Sequence, residues 1–130
     1  VRQPKLVVVD DDTPFAVELA GLFSDVGYEV TGIASGGTEC IDLVERTNPD
    51  VVVMDVRMDG MSGTEAAAVL NRERPHVPVV LLSAYDDEGI VRAARGAAVA
   101  AYLVKGCSAS ELLSTVGTVV RQSREKWAAP

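Results

Sequence analysis

Five short apolar runs, each separated from the next by a helix-period segment, constrain this chain more than any other feature. The runs cover residues 5–10, 29–34, 50–55, 77–82 and 101–104. Each is rich in Val, Ile or Leu but lacks strict polar alternation, as strands do when helices cover both their faces. Between them the apolar spacing changes to the helical period. Phe15, Leu19, Leu22, Phe23 and Val26 form one stripe, which Gly27 is placed to end. Cys40, Ile41 and Val44 form a second over 38–46, stopped by Asn48-Pro49. A third helix is expected from about 63 to just before Pro75, and a fourth from Asp86 towards Ala98. The last runs from 108 to about 124 with Leu112, Val116, Val119 and Val120 inward; Ser108 and Glu111 stand at capping-box spacing.

Strict alternation of strand and helix gives an α/β domain with a parallel sheet. Right-handed crossovers leave few topologies. The order 2-1-3-4-5, the flavodoxin-like arrangement, is the expected one, with ligands bound where the order reverses between strands 1 and 3. No repeat or interior linker interrupts the pattern. Residues 1–124 read as one domain and 125–130 as a helix end or linker stump.

The length of 130 residues suits a single domain with a real core. No apolar run approaches the ~18 residues of a membrane span. With no secretory pattern at the start, the chain reads as cytoplasmic. Beginning on Val1, it reads as a processed or excised segment. Nineteen acidic against 12 basic residues give a net charge of -7, which opposes direct binding to a phosphate backbone. Cys40 and Cys107 lack metal or redox spacing and read as reduced thiols.

The chemistry lies at the strand ends. The first strand ends on Asp10-Asp11-Asp12, the third on Asp55, the fourth on Ser83 and the fifth on Lys105, while the second offers only Ser35 and Gly36. Neighbouring parallel strands would gather these groups in one crevice. Carboxylates without a thiol or imidazole suit a hard, oxygen-seeking cation such as Mg2+, which takes one or two protein carboxylates plus water and phosphate oxygens. A carboxylate beside such an ion can attack phosphorus and form an aspartyl phosphate. Without the cation, each like-charge pair at ~4 Å would oppose attack by about 4 kcal/mol at an effective dielectric near 20. Lys105 and the Ser83 hydroxyl are suited to the remaining phosphoryl oxygens.

In Val9-Asp10-Asp11, Asp55, Gly60-Met61-Ser62-Gly63, Ser83-Ala84 and Tyr102-Leu103-Val104-Lys105 the sequence resembles a bacterial two-component response-regulator receiver domain of the chemotaxis-regulator type. The resemblance extends from Lys5 to about Arg124, with family-like separations between Asp11, Asp55, Ser83 and Lys105. It implies a phosphoryl group accepted on Asp55 from a histidine kinase or phosphotransfer protein, with Mg2+ as cofactor. It further implies that Asp11 binds the ion directly, Asp10 largely through a water, and Arg57 by its backbone carbonyl, with Asp55 itself a ligand. Lys105 would bridge Asp55 and the phosphoryl group. Ser83 would move towards the phosphate, and Tyr102 would follow as the switch aromatic. Such a domain assists its own phosphorylation and slow dephosphorylation without being an enzyme in its own right. It acts on an output domain or partner protein, binds neither nucleic acid nor membrane itself, and leaves room for a homodimer formed on phosphorylation. The stretch from Tyr102 to Leu113 resembles receivers joined to helix-turn-helix outputs.

Three positions depart from the family pattern. Asp59 stands where Pro is common, which predicts a more mobile loop. Ala98 replaces a turn glycine, so it is strained if that turn needs positive φ. Gly106 replaces the Pro after the lysine, and the cost of a cis bond before a non-proline, ~2.5–4 kcal/mol, predicts a trans Lys105-Gly106 peptide.

Other residues have plainer readings. Asp12 reads as a helix cap rather than a metal ligand, and His76 as a solvated loop residue. Arg57 and Tyr85 flank the crevice and are candidates for tuning water access. Tyr102 reads equally as core packing. Two rival functions remain open on the residues alone. Asp10-Asp11-Asp12-Thr13-Pro14 loosely matches the first motif of haloacid-dehalogenase-like Mg2+ phosphatases, in which Asp10 would be the nucleophile. The acidic pair those enzymes need after the lysine is absent, however, from Gly106-Cys107-Ser108-Ala109. The other rival is a flavodoxin-like interaction module without phosphotransfer.

Overall fold

The computed structural model describes residues 2–84 and 88–128. The elements alternate along the chain as β1 (Lys5–Val9), α1 (Thr13–Asp25), β2 (Glu29–Ala34), α2 (Gly37–Thr47), β3 (Val51–Asp55), α3 (Gly63–Glu73), β4 (Val79–Ser83), α4 (Glu88–Gly96), β5 (Ala101–Val104) and α5 (Ala109–Lys126). The sheet order is β2-β1-β3-β4-β5, and every pairing is parallel. The expected flavodoxin-like topology is the observed one.

The apolar runs lack alternation because both faces of the sheet are covered. Val7, Val9, Val52, Met54, Val79 and Leu81 turn towards α2, α3 and α4, meeting Cys40, Leu43, Val44, Ala66, Ala67, Leu70 and Ala94. Leu6, Val8, Val51, Val53, Val80 and Leu82 turn the other way, to Ala16, Leu19 and Phe23 of α1 and Leu112, Val116, Val119 and Val120 of α5. Full burial stabilises each such side chain by about 1.5–3 kcal/mol relative to exposure. The three central strands β1, β3 and β4 are therefore buried along nearly their whole length, and their packing sets where their carboxyl ends lie.

Helix starts are set by side-chain caps. Asp12 accepts a hydrogen bond from the Phe15 N–H at 3.2 Å, so it is the cap of α1 as expected. Ser108 caps α5 through the Glu111 N–H at 3.0 Å. The reciprocal capping box is at α3, where Ser62 and Glu65, at the same sequence spacing as Ser108 and Glu111, exchange bonds of 3.2 Å each.

Several boundaries differ from expectation. Strand 4 begins at Val79 rather than 77, because Pro78 has no N–H to donate to the ladder and Val77 is turned back to the Arg74 carbonyl. Asp10 lies just past β1 rather than within it. Helix α5 continues to Lys126, about two residues beyond the expected end. The expected start of the fourth helix at Asp86 falls outside the described residues, as does Tyr85. Ala98 does adopt positive φ, +57°, the strained left-handed conformation that a turn glycine would take without cost. The described residues contain no cis peptide, and Gly106 accommodates its trans loop at φ +97°.

Candidate functional site

The carboxyl ends of β1, β3, β4 and β5 bring Asp10, Asp55, Ser83 and Lys105 to one edge of the sheet. Asp10 is 3%, Asp55 7% and Ser83 1% exposed, whereas Asp11 is an exposed residue. Backbone bonds hold these residues in place. The Asp10 N–H donates to the Ala34 carbonyl at 3.0 Å, and the Lys105 N–H to the Ser83 carbonyl at 2.7 Å.

The Gly60-Met61-Ser62-Gly63 turn has a steric purpose. The Gly63 N–H donates to the Val56 carbonyl at 2.7 Å. A Cβ at Gly63 would lie 2.1 Å from the Asp55 carbonyl oxygen and 2.9 Å from Val56 Cα. The first turn of α3 therefore presses directly on the backbone that carries Asp55.

Asp10 and Asp55 share one lysine. Lys105 Nζ is 2.8 Å from Asp10 Oδ2 and 3.5 Å from Asp55 Oδ1. The other Asp10 oxygen, Oδ1, accepts the Asp12 N–H at 2.9 Å. Ligand atoms of Asp10, Asp11 and Asp55 all lie within 4.8 Å of one another. The Lys105 ammonium thus meets two of the three clustered carboxylates. Burial pushes the Asp55 carboxyl above the ordinary aspartate range, the Asp10 charge adds to that, and Lys105 opposes it. Burial alone would lower the Lys105 pKa, but its hydrogen bond to Asp10 and the charges of both acids more than offset this and carry it upward.

The donor set is all oxygen, with an excess of negative charge and no imidazole or thiolate in the cluster. That fits Mg2+ rather than a softer ion. His76 sits apart, exposed, with its Nε2 3.1 Å from Asn48 Oδ1, in keeping with a plain loop residue. Cys40 is buried in the α2 core, its thiol pushed up to about 12 by desolvation and by Glu39. Arg57 and Asp59 are exposed in the loop after β3, and Asp59 is not part of the acidic cluster. Tyr102 is half-buried on β5 and packs against the α2–α4 side of the core.

One neighbour was not anticipated as part of the site. Phe15 read as a member of the α1 core stripe, yet its ring centroid is 4.7 Å from Lys105 Nζ. The helical period shows which face a residue takes, but not which strand end that face meets.

A family model described as response regulator receiver domain matches residues 6–117. The chain belongs to the response regulator receiver family. The transcriptional regulatory protein PdtaR of Mycobacterium tuberculosis is 35% identical over 121 residues, covering 93% of this chain and 58% of the relative. The response regulator GacA of Pseudomonas aeruginosa is 31% identical, covering 92% and 56%. A CheY-like receiver domain from Methanospirillum hungatei has the same fold, with a TM-score of 0.89 at 21% identity over 95% of this chain and 98% of that one. This receiver spans somewhat over half the length of these two relatives. Phosphotransfer from a kinase is the general function of the family, a family of signalling proteins rather than an enzyme class. Receiver domains generally bind Mg2+ at an acidic pocket, and this chain has the acidic cluster for one. Among the described residues, no helix is long and apolar enough to cross a membrane.

Proposed function

We propose that Asp55 is the phosphoacceptor of this receiver, taking its phosphoryl group from a phosphohistidine of a histidine kinase or phosphotransfer protein. One observation carries the reading: three acidic side chains converge within 4.8 Å, and the single lysine beside them reaches both buried members. An Asp55 carboxylate oxygen attacks phosphorus, the O–P bond forms as the P–N bond breaks, and the released histidine nitrogen carries its electron pair away. Both oxygens of Asp10 are already engaged, one by the Asp12 N–H and one by Lys105 at 2.8 Å, which favours Asp55 as nucleophile. The Lys105 ammonium, 3.5 Å from Asp55 Oδ1, would donate to the transferred phosphoryl oxygens, and the buried Ser83 hydroxyl at the end of β4 would be the second donor. Mg2+ held by Asp11, Asp55 and the Arg57 carbonyl, and by Asp10 largely through a water, would supply the positive charge that lets a phosphoryl group approach these acids.

Phosphorylation adds charge and acceptor oxygens at the crevice. Ser83 and Tyr102 belong to neighbouring strands, β4 and β5, and they would pass the change to the α4-β5-α5 surface. Water would slowly hydrolyse the acyl phosphate. We assign the reaction to the cytoplasm, and its readout to an output domain or partner protein. The transcriptional role in the name of PdtaR favours a regulator of gene expression, and homodimer formation on phosphorylation is a further part of this reading.

Beryllofluoride titration with and without Mg2+, followed by amide shifts in β4 and β5, tests the site. A response that requires Mg2+ is expected, and no response would refute the reading. Trapping of the acyl phosphate followed by peptide mapping should place the label on Asp55. Label on Asp10 would instead favour the phosphatase alternative.

A further inference from the structure

Lys105 is a long side chain in an open setting. Its side chain is 22% exposed, and beside it lies a cavity of about 570 Å³ between α1 and the start of α5, lined by Phe15, Leu19, Leu22, Cys107 and Leu112. A four-carbon lysine stem has many rotamers, and a cavity of this size does not exclude them. Asp10 and Asp55 draw the ammonium to one place, but both acids are also candidate metal ligands. A contact to Lys105 that is independent of the acids would keep its charge in place whatever they bind. Phe15 offers such a contact. It lies in the first turn of α1, which the Asp12 cap fixes, and it packs against the α1/α5 core. Its ring centroid is 4.7 Å from Nζ, within the range of a cation–π interaction.

We propose that Phe15 is a positioning residue for Lys105: its ring holds the ammonium over the strand-end crevice, so that the phosphoryl group arriving at Asp55 meets a charge already in place. The proposal rests on the reading of Asp55 as phosphoacceptor. Phe15 touches the lysine rather than the reacting atoms, so it acts through Lys105. The alternative is that Phe15 only fills space between α1 and α5. An aliphatic side chain would then serve equally well.

The Phe15→Leu and Phe15→Tyr variants separate the two. Leu keeps most of the apolar volume and loses the ring face; Tyr keeps both. In Mg2+-free protein, the Lys105 ε-methylene protons should show an aromatic ring-current shift in wild type and Phe15→Tyr that disappears in Phe15→Leu. With acetyl phosphate as donor, Phe15→Leu should lower the second-order rate of self-phosphorylation, and the affinity for beryllofluoride with Mg2+, by about two- to fivefold. Phe15→Tyr should restore both. If Phe15→Leu fails to fold, as judged by its amide spectrum, Phe15→Met takes its place in the same comparison. Equal rates and affinities for the aliphatic variant and wild type would overturn the proposal, as would a Tyr variant that loses as much as the aliphatic one. A wild-type protein that neither takes up phosphoryl groups nor binds beryllofluoride would overturn the phosphoacceptor reading, and this one with it. A competent wild type matched by the aliphatic variant overturns the Phe15 assignment alone.

Discussion

Replacing Gly63 by Ala should disable the site without touching any group that does chemistry. The added Cβ would stand 2.1 Å from the Asp55 carbonyl oxygen, 2.9 Å from Val56 Cα and 3.0 Å from the Asp55 carbonyl carbon. All three atoms are backbone, so no rotamer change relieves the clash. Either α3 or the end of β3 must retreat by more than about 1 Å to reach ordinary contact. Strand β3 lies between β1 and β4 with all five residues buried, so it resists movement. Helix α3 is tied through the Gly63–Val56 hydrogen bond of 2.7 Å and through the Ser62 cap. Either movement is overpacking against a rigid neighbour, and a loss of about 3 kcal/mol is expected, at the upper end of that class. For a domain of this size it should lower Tm by roughly 10 °C. Gly21→Ala and Gly117→Ala are the controls. Both positions are in helices with nothing within 4 Å of the added Cβ, so each should stabilise by about 0.5–1 kcal/mol. Urea unfolding gives all three values, and beryllofluoride affinity reports the position of Asp55. A Gly63→Ala protein as stable as wild type would refute the claim that α3 is packed on the Asp55 backbone.

Two further substitutions test other parts of the structure. Ala98→Gly should stabilise by about 0.5–1 kcal/mol: relief of a left-handed alanine at φ +57° is worth about 1–2 kcal/mol, of which the extra freedom of glycine in the unfolded chain takes back part. A lower urea midpoint for Ala98→Gly would show that the turn is not strained. In metal-free buffer, Asp55→Asn should stabilise the fold at neutral pH, because burial of the carboxylate and repulsion from Asp10 outweigh the Lys105 attraction. The sign follows from the raised Asp55 pKa. An acid raised on folding contributes stability that is full below its unfolded value, ~3.9, and lost as pH rises through the folded one. The advantage of the Asn variant should therefore shrink as pH falls towards 4, and a constant difference between pH 4 and 7 in EDTA would contradict the assignment.

The fold and its chemical residues were legible for a single physical reason. In a parallel sheet all carboxyl ends share one edge, so the last polar residue of each apolar run is placed without knowledge of packing; Asp10, Asp55, Ser83 and Lys105 follow from that rule alone. Position that depends on contact between elements distant in sequence was not legible. The start of β4 had a local marker in Pro78, which has no N–H to donate to the ladder. Phe15 gave no such signal, because core packing and contact with Lys105 call for the same residue type at the same helical position. The exact need for glycine at position 63 was equally hidden: its backbone is not in a left-handed conformation, and only the approach of α3 to Asp55 excludes a side chain.

That contrast bears on how the site is built. The groups at the sheet edge carry an excess of negative charge, and two backbone supports hold them there. The α3 N-terminus fixes the backbone of Asp55 from one side, while β4 fixes the backbone of Lys105 through the Ser83 carbonyl from the other. Beyond that bond the lysine side chain reaches Asp10, Asp55 and the Phe15 ring. On the reading proposed above, its charge would oppose Asp10 and Asp55 before phosphorylation and meet phosphoryl oxygens afterwards, without swinging into the adjoining cavity between. A contact to Phe15, which carries no charge and binds no metal, is unaffected by that change of partners, whereas a third carboxylate in its place would compete for the same ion.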